Sequence, residues 1–161
     1  MSDKPSSPAR FGTVTTSSAY LAAVAILTWE TINNHLGDQI YGRLVMAVLS
    51  FPISLIDWFA GDAVFAVLRD ASHSTTAGWE YVALGWPGVI TAGALTVLMT
   101  LSRTQTFGRT FGWFLTVMTL ASGLMIAFDA WAPRRPWGWP VVVCALIMAA
   151  GLMLSRRRSP A

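Results

Sequence analysis

Charge is scarce in this chain. Of its 161 residues only 12% are Asp, Glu, Lys or Arg, against roughly 25% in an ordinary soluble domain. A soluble surface of this size would be left largely uncovered, which argues against a soluble enzyme. Lysine is nearly missing, with Lys4 alone beside ten arginines. Histidine is limited to His35 and His73, and cysteine to Cys144. A single cysteine excludes an intramolecular disulfide, a Cys-x-x-Cys redox pair and a cysteine-rich zinc site. Cys144 lies inside an apolar run and reads as a small buried residue. What the chain has in quantity is apolar: 54% of residues are hydrophobic. Disorder needs low hydrophobicity and high net charge, so it is excluded for the bulk of the chain. An integral membrane protein remains.

The net charge of +3 does not point to nucleic acid. The basic residues sit in small groups between apolar runs, as membrane flanks do, and form no stripe that could track a phosphate backbone. The bilayer is the expected partner, and no nucleic acid is.

Five apolar segments follow a tail at residues 1–12 that is rich in Ser and Pro and reads as disordered. They lie at about 13–33, 41–60, 80–102, 109–130 and 137–155. A spanning helix needs about 20 apolar residues, because a hydrocarbon core of about 30 Å is crossed at about 1.5 Å per residue. The last three segments meet this requirement, and the first does so with its Thr- and Ser-rich start included. The second holds only 13 uncharged residues, Leu44 to Ile56, unless Asp57 is tolerated. Trp29, Glu30 and Thr31 follow the first apolar core without a small-x-small cleavage site, so this segment is expected to stay as an anchor. The fold class is therefore all-α, a polytopic membrane bundle over residues 13–155, with four or five spans and a basic tail at 156–161.

An internal repeat orders the second half. Gly85-Trp86-Pro87 opens the third segment and Leu101-Ser102-Arg103 closes it. Gly138-Trp139-Pro140 and Leu154-Ser155-Arg156 do the same for the fifth, and Val89 and Ala92 match Val142 and Ala145, eight identities in 19 ungapped positions. Trp favours the interface, Pro suits a first helical turn and Arg marks a cytoplasmic end. Both helices should run the same way, Trp end outside and Arg end inside, with the fourth segment crossing back between them.

The first half leaves two arrangements open. Five spans put the N-terminus outside, with six basic residues inside and five outside. Four spans, with the second segment re-entrant or lying flat, put both termini inside and give seven against four. The positive-inside rule favours the second count, while the greasiness of Leu44 to Ala60 favours a span. In both, the C-terminus is cytoplasmic, and the plasma membrane of a bacterium is the expected location.

The stretch Leu49-Ser50-Phe51-Pro52-Ile53-Ser54-Leu55 resembles the Ser/Thr-x-Pro-x-Ser-Leu second span of small multi-span bacterial integral membrane proteins of undefined role. The resemblance implies a membrane fold and a true second span. It implies no activity, cofactor or site residue.

Candidate chemistry is sparse. An ionisable residue within a membrane segment is a functional hypothesis by default. Asp57 leads on that ground, and Asp62 follows five residues later, about 140° round a helix. If a span starts near Arg43, Asp57 lies toward the far interface, where a carboxylate is unremarkable. Glu30, His35 and Asp38 cluster in one connection and Asp70, His73 and Glu80 in the next. Two histidines without H-x-x-x-H or H-E-x-x-H spacing make no zinc site, and these residues read as solvated loop positions. No G-x-S-x-G, Walker A or G-x-G-x-x-G motif occurs. No catalytic, cofactor or metal residue is assigned, and no enzyme activity is expected. Gly108 and Gly112 head a set of small residues at four-residue spacing that lets helices approach closely, within the chain or against a second copy or another membrane protein. Thr91, Thr96, Thr116, Thr119 and Ser122 are the hydroxyls that could line a pore. The expected function is a structural or accessory membrane component, with a small transporter, channel or holin-like pore former as the alternative.

Overall fold

The computed structural model describes residues 7–56, 78–101 and 104–156. All regular structure among them is helical: α1 (Ser7–Ile32), α2 (Gln39–Leu49), α3 (Trp79–Thr100), α4 (Gln105–Ala127), a 3-10 turn (Ala132–Arg134) and α5 (Arg135–Arg156). Four stretches are long and apolar enough to cross a membrane: Phe11–Ile32, Glu80–Thr100, Gln105–Ala127 and Ala132–Ser155. The second apolar segment gives no such helix among the described residues. It forms the short α2 and, after a turn at 50–52, a further helical stretch at 53–56; its continuation at 57–60, with Asp57, lies outside them, as does Asp62. The first helix begins at Ser7, inside the stretch that composition assigned to a tail.

The helix directions follow from which residues meet. On α1 and α3, Gly85 faces Thr28 and Gly88 faces Val24, while Thr96 Oγ1 and Ser17 Oγ lie within hydrogen-bond distance at 2.9 Å. Index rises on one helix as it falls on the other, so the pair is antiparallel. The same reasoning applies to α1 and α5, where Gly12 meets Gly151 and Ser155. It applies again to α4 and α5, where Gly112 meets Leu152 and Gly123 meets Val142, and to α3 and α4, where Gly108 meets Leu98. Hence α1 and α4 run one way, α3 and α5 the other. The repeat's expectation of parallel third and fifth segments holds. The start of α1 and the end of α5 lie at one end of the bundle.

The seams close on small residues. A methyl added at Gly12 would stand 2.7 Å from the Gly151 carbonyl, one at Gly108 2.7 Å from the Leu98 carbonyl, and one at Gly123 2.9 Å from the Val142 nitrogen. Helices in lipid associate by this close packing, since hydrocarbon removes the hydrophobic drive between them. Gly108 and Gly112 thus face α3 and α5 of their own chain. Between the seams lies a core of Tyr20, Leu27, Leu95, Leu115, Met148 and Leu152, all nearly inaccessible.

The two Trp-Pro pairs sit deeper in their helices than the sequence suggests. Pro87 and Pro140 are inside α3 and α5, not in their first turns, because the helices begin at Trp79 and Arg135. A proline there removes one helical hydrogen bond, which a membrane helix tolerates when neighbours serve the freed carbonyl. Thr91 Oγ1 donates to the Pro87 carbonyl at 2.7 Å, tightening the turn that follows the proline.

Candidate functional site at the capped end and the α2 break

One end of the bundle is capped by the α1–α2 connection and by the turn before α5. Asn34 (φ 59°) and Gly37 (φ 70°) take left-handed backbone there, where glycine has no Cβ penalty. Gly37 also lies directly beneath the Trp131 ring, where a side chain would collide. Asp38 ends the turn as N-cap of α2, its Oδ1 accepting the Ile40 N–H at 2.9 Å, which serves one of the free donors of a helix start.

Arg134 ties the cap together. Its Nη1 lies 2.8 Å from Asp129 Oδ2, its Nε donates to the Leu36 carbonyl, and its guanidinium lies 4.2 Å from the Tyr41 ring centroid and 4.8 Å from that of Trp131. The planar guanidinium suits such combined pairing and stacking. The hydrogen bond from Arg134 holds the Asp129 carboxyl below the usual carboxylate range, with partial burial acting the other way. Tyr41 completes the link by donating to the Met125 carbonyl at 3.3 Å. Four residues, Leu36, Tyr41, Asp129 and Trp131, are thereby pinned to one arginine that composition marked only as an outside charge.

Beside this cap, His35 clusters with two indoles, stacked on Trp137 at 4.3 Å and tilted against Trp29 at 4.7 Å by ring centroids. Glu30 is the unexpected member. Read from the sequence as a solvated loop residue, it belongs to the last turn of α1 and is 1% exposed. Its Oε2 has no hydrogen-bond partner among the described residues. The signal was present in the spacing: Ala23, Leu27 and Glu30 share one helical face, and the first two are core residues.

The second feature is the point where α2 stops. The helix starts at the capped end, with Gly42 against Thr31, and ends at Ser50, where Tyr20 Oη donates to the Leu49 carbonyl at 3.1 Å. Tyr20 lies close to the midpoint of the Phe11–Ile32 stretch. The helix therefore ends at mid-depth, where unserved carbonyls are costly. Each of its last four is served. The Ser50 N–H takes Met46 at 2.9 Å and the Phe51 N–H takes Val48 at 3.4 Å. Ser54 Oγ takes Ala47 at 2.7 Å, and Tyr20 takes Leu49. The Phe51–Pro52 peptide is cis. Ser50 and Pro52 of the Leu49–Leu55 stretch lie at the break itself, and Ser54 is one of its caps.

The hydroxyls that could have lined a pore are turned to their own helices. Thr91, Thr96, Thr116 and Thr119 each donate to the carbonyl four residues earlier, at 2.7 to 2.8 Å. Ser122 is fully buried with its Oγ unpartnered among the described residues. At the opposite end, Arg109 Nη2 donates to the Ser155 carbonyl at 2.6 Å, capping the end of α5. Among the described residues no three His, Cys, Asp or Glu side chains come together as metal ligands would. No protein-family model matches the chain, and no curated protein or solved structure is significantly similar to it.

Proposed function

We propose that this chain is a non-catalytic structural or accessory component of the bacterial plasma membrane, working through lateral association in the bilayer with a second copy or another membrane protein. The observation that carries this reading is the way the bundle uses its polar groups. Four of the five candidate pore hydroxyls are spent on their own helices, and the seams are closed at backbone distance by glycine. That economy suits a packed membrane body better than a water-filled path, which would present converging polar groups at mid-depth. The helix directions support four spans with both termini on the same face, and the positive-inside rule favours the cytoplasm for that face.

Transport is the second reading. What favours it is the end of α2 at mid-depth, since interrupted helices frequently mark binding sites in transporters. Purified protein reconstituted into vesicles with a trapped pH- or ion-sensitive dye separates the two. Leak equal to that of protein-free vesicles is expected. A protein-dependent flux would overturn the accessory reading and favour transport.

A further inference from the structure

We propose that Glu30 is a proton-binding site: its carboxyl takes a proton from the water at the capped end and holds it inside the bundle. Glu30 is 1% exposed, with Oε2 lacking a partner among the described residues. An unpaired buried carboxylate is costly, and uptake of a proton removes that cost.

The charged and titratable groups around it are committed elsewhere. From α2 and its lead-in, Asp38 caps Ile40 and Tyr41 serves Met125. Arg134 is held by Asp129 and the Leu36 carbonyl, and Arg135 Nε donates to the Asp129 carbonyl at 2.9 Å. From α3, Glu80 is exposed and Tyr81 faces Asn33. His35, whose backbone N–H closes on the Glu30 carbonyl at 3.0 Å, has its ring stacked on Trp137 and tilted against Trp29. No cation among these is paired with Glu30.

A metal ion is a poorer occupant. It would require several oxygen or nitrogen ligands, and among the described residues no three His, Cys, Asp or Glu side chains come together to supply them. A proton needs neither a coordination sphere nor a cavity. It has a short route, because Asn33 and Asn34, at the end of the same helix, are exposed.

The test uses the full chain in lipid vesicles. Dicyclohexylcarbodiimide adds to a protonated carboxyl: the acid proton passes to one nitrogen, the acyl group migrates from oxygen to the other, and a stable N-acylurea forms with nothing leaving. At pH 7, peptide mapping is expected to find the adduct on Glu30, with exposed Glu80 left essentially unmodified, and unchanged by added sodium. Infrared spectra supply a readout independent of reagent partitioning: a protonated-carboxyl band at pH 7 that is lost in Glu30→Gln and shifted in Glu30→Asp. If Glu30→Gln does not fold, the band is followed by pH titration of the unaltered chain. No adduct on Glu30 in the folded chain, absence of the band, or protection by sodium would each overturn the proposal, the last in favour of a metal cation.

Discussion

The hydroxyl of Tyr20, midway along α1, donates to the carbonyl of Leu49, the last residue of α2, at 3.1 Å. One side chain thereby fixes where a helix may stop inside an apolar bundle. Tyr20→Phe keeps the ring and removes the donor. Interhelical hydrogen bonds in membranes average about 0.6 kcal/mol and reach about 1.7 kcal/mol; the upper part of that range is expected, because the carbonyl has no water to turn to. The loss is read as a shift in detergent-induced unfolding. Increased amide exchange should be confined to residues 49–54, with the α4–α5 seam unchanged.

How much of this was legible in the sequence depends on the residue. The four long helices were, since run length and absence of charge set them directly. So was the shared direction of α3 and α5, through Trp-Pro at one end and Arg at the other. Pro52 left both a span and a break open, and nothing local to it could show that Tyr20, 29 residues before Leu49, would serve the freed carbonyl. Glu30 was misplaced because polar residues follow it directly and its apolar partners precede it by helical spacing. The Asp129–Arg134 pair escaped notice because its meaning lies in the Leu36 carbonyl and the Tyr41 ring, both distant in sequence.

Gly138 and Gly93 make a matched pair of tests. A methyl at Gly138 would strike the backbone of Ala127 and Gly123 across the α4–α5 seam, whereas one at Gly93 meets nothing within 4 Å. Gly138→Ala is expected to destabilise by about 1–3 kcal/mol, the usual cost of overpacking. Gly93→Ala is expected to be neutral or to stabilise by up to about 1 kcal/mol through helix propensity. Equal effects in a common unfolding assay would contradict the close α4–α5 approach.

Asp129 makes the cap sensitive to acid. Its carboxyl is held below the ordinary range, first by the hydrogen bond from Arg134. A group with a lowered folded-state value contributes stability that is complete above the ordinary carboxylate range and is lost as pH falls through the lowered value. The unfolding midpoint of the wild type should therefore drop through that acidic window. In Asp129→Asn the midpoint should start lower and lose this part of its pH dependence. Arg134 keeps the Leu36 carbonyl and the two rings in that variant, so the cap is expected to remain folded.

Cys144 makes the topology open to a direct test. It is the chain's one cysteine, and it is buried, so a membrane-impermeant maleimide should leave the parent protein nearly unlabelled. Replacing Cys144 by Ala clears even that background. Gln39, Ala130 and Thr106 are all exposed and can each carry a new cysteine. Gln39 begins α2 at the capped end and Ala130 lies in the same cap, while Thr106 sits in the first turn of α4 at the opposite end. If the end carrying Arg109 and the arginine tail faces the cytoplasm, as proposed from the positive-inside rule, Gln39→Cys and Ala130→Cys should label in intact cells, and Thr106→Cys only after permeabilisation. A five-span chain would place residue 39 on the opposite side from residue 130. Labelling of Ala130→Cys without Gln39→Cys would therefore require α1 to be parallel to α3, against the pairing of Thr28 with Gly85 and of Ser17 with Thr96.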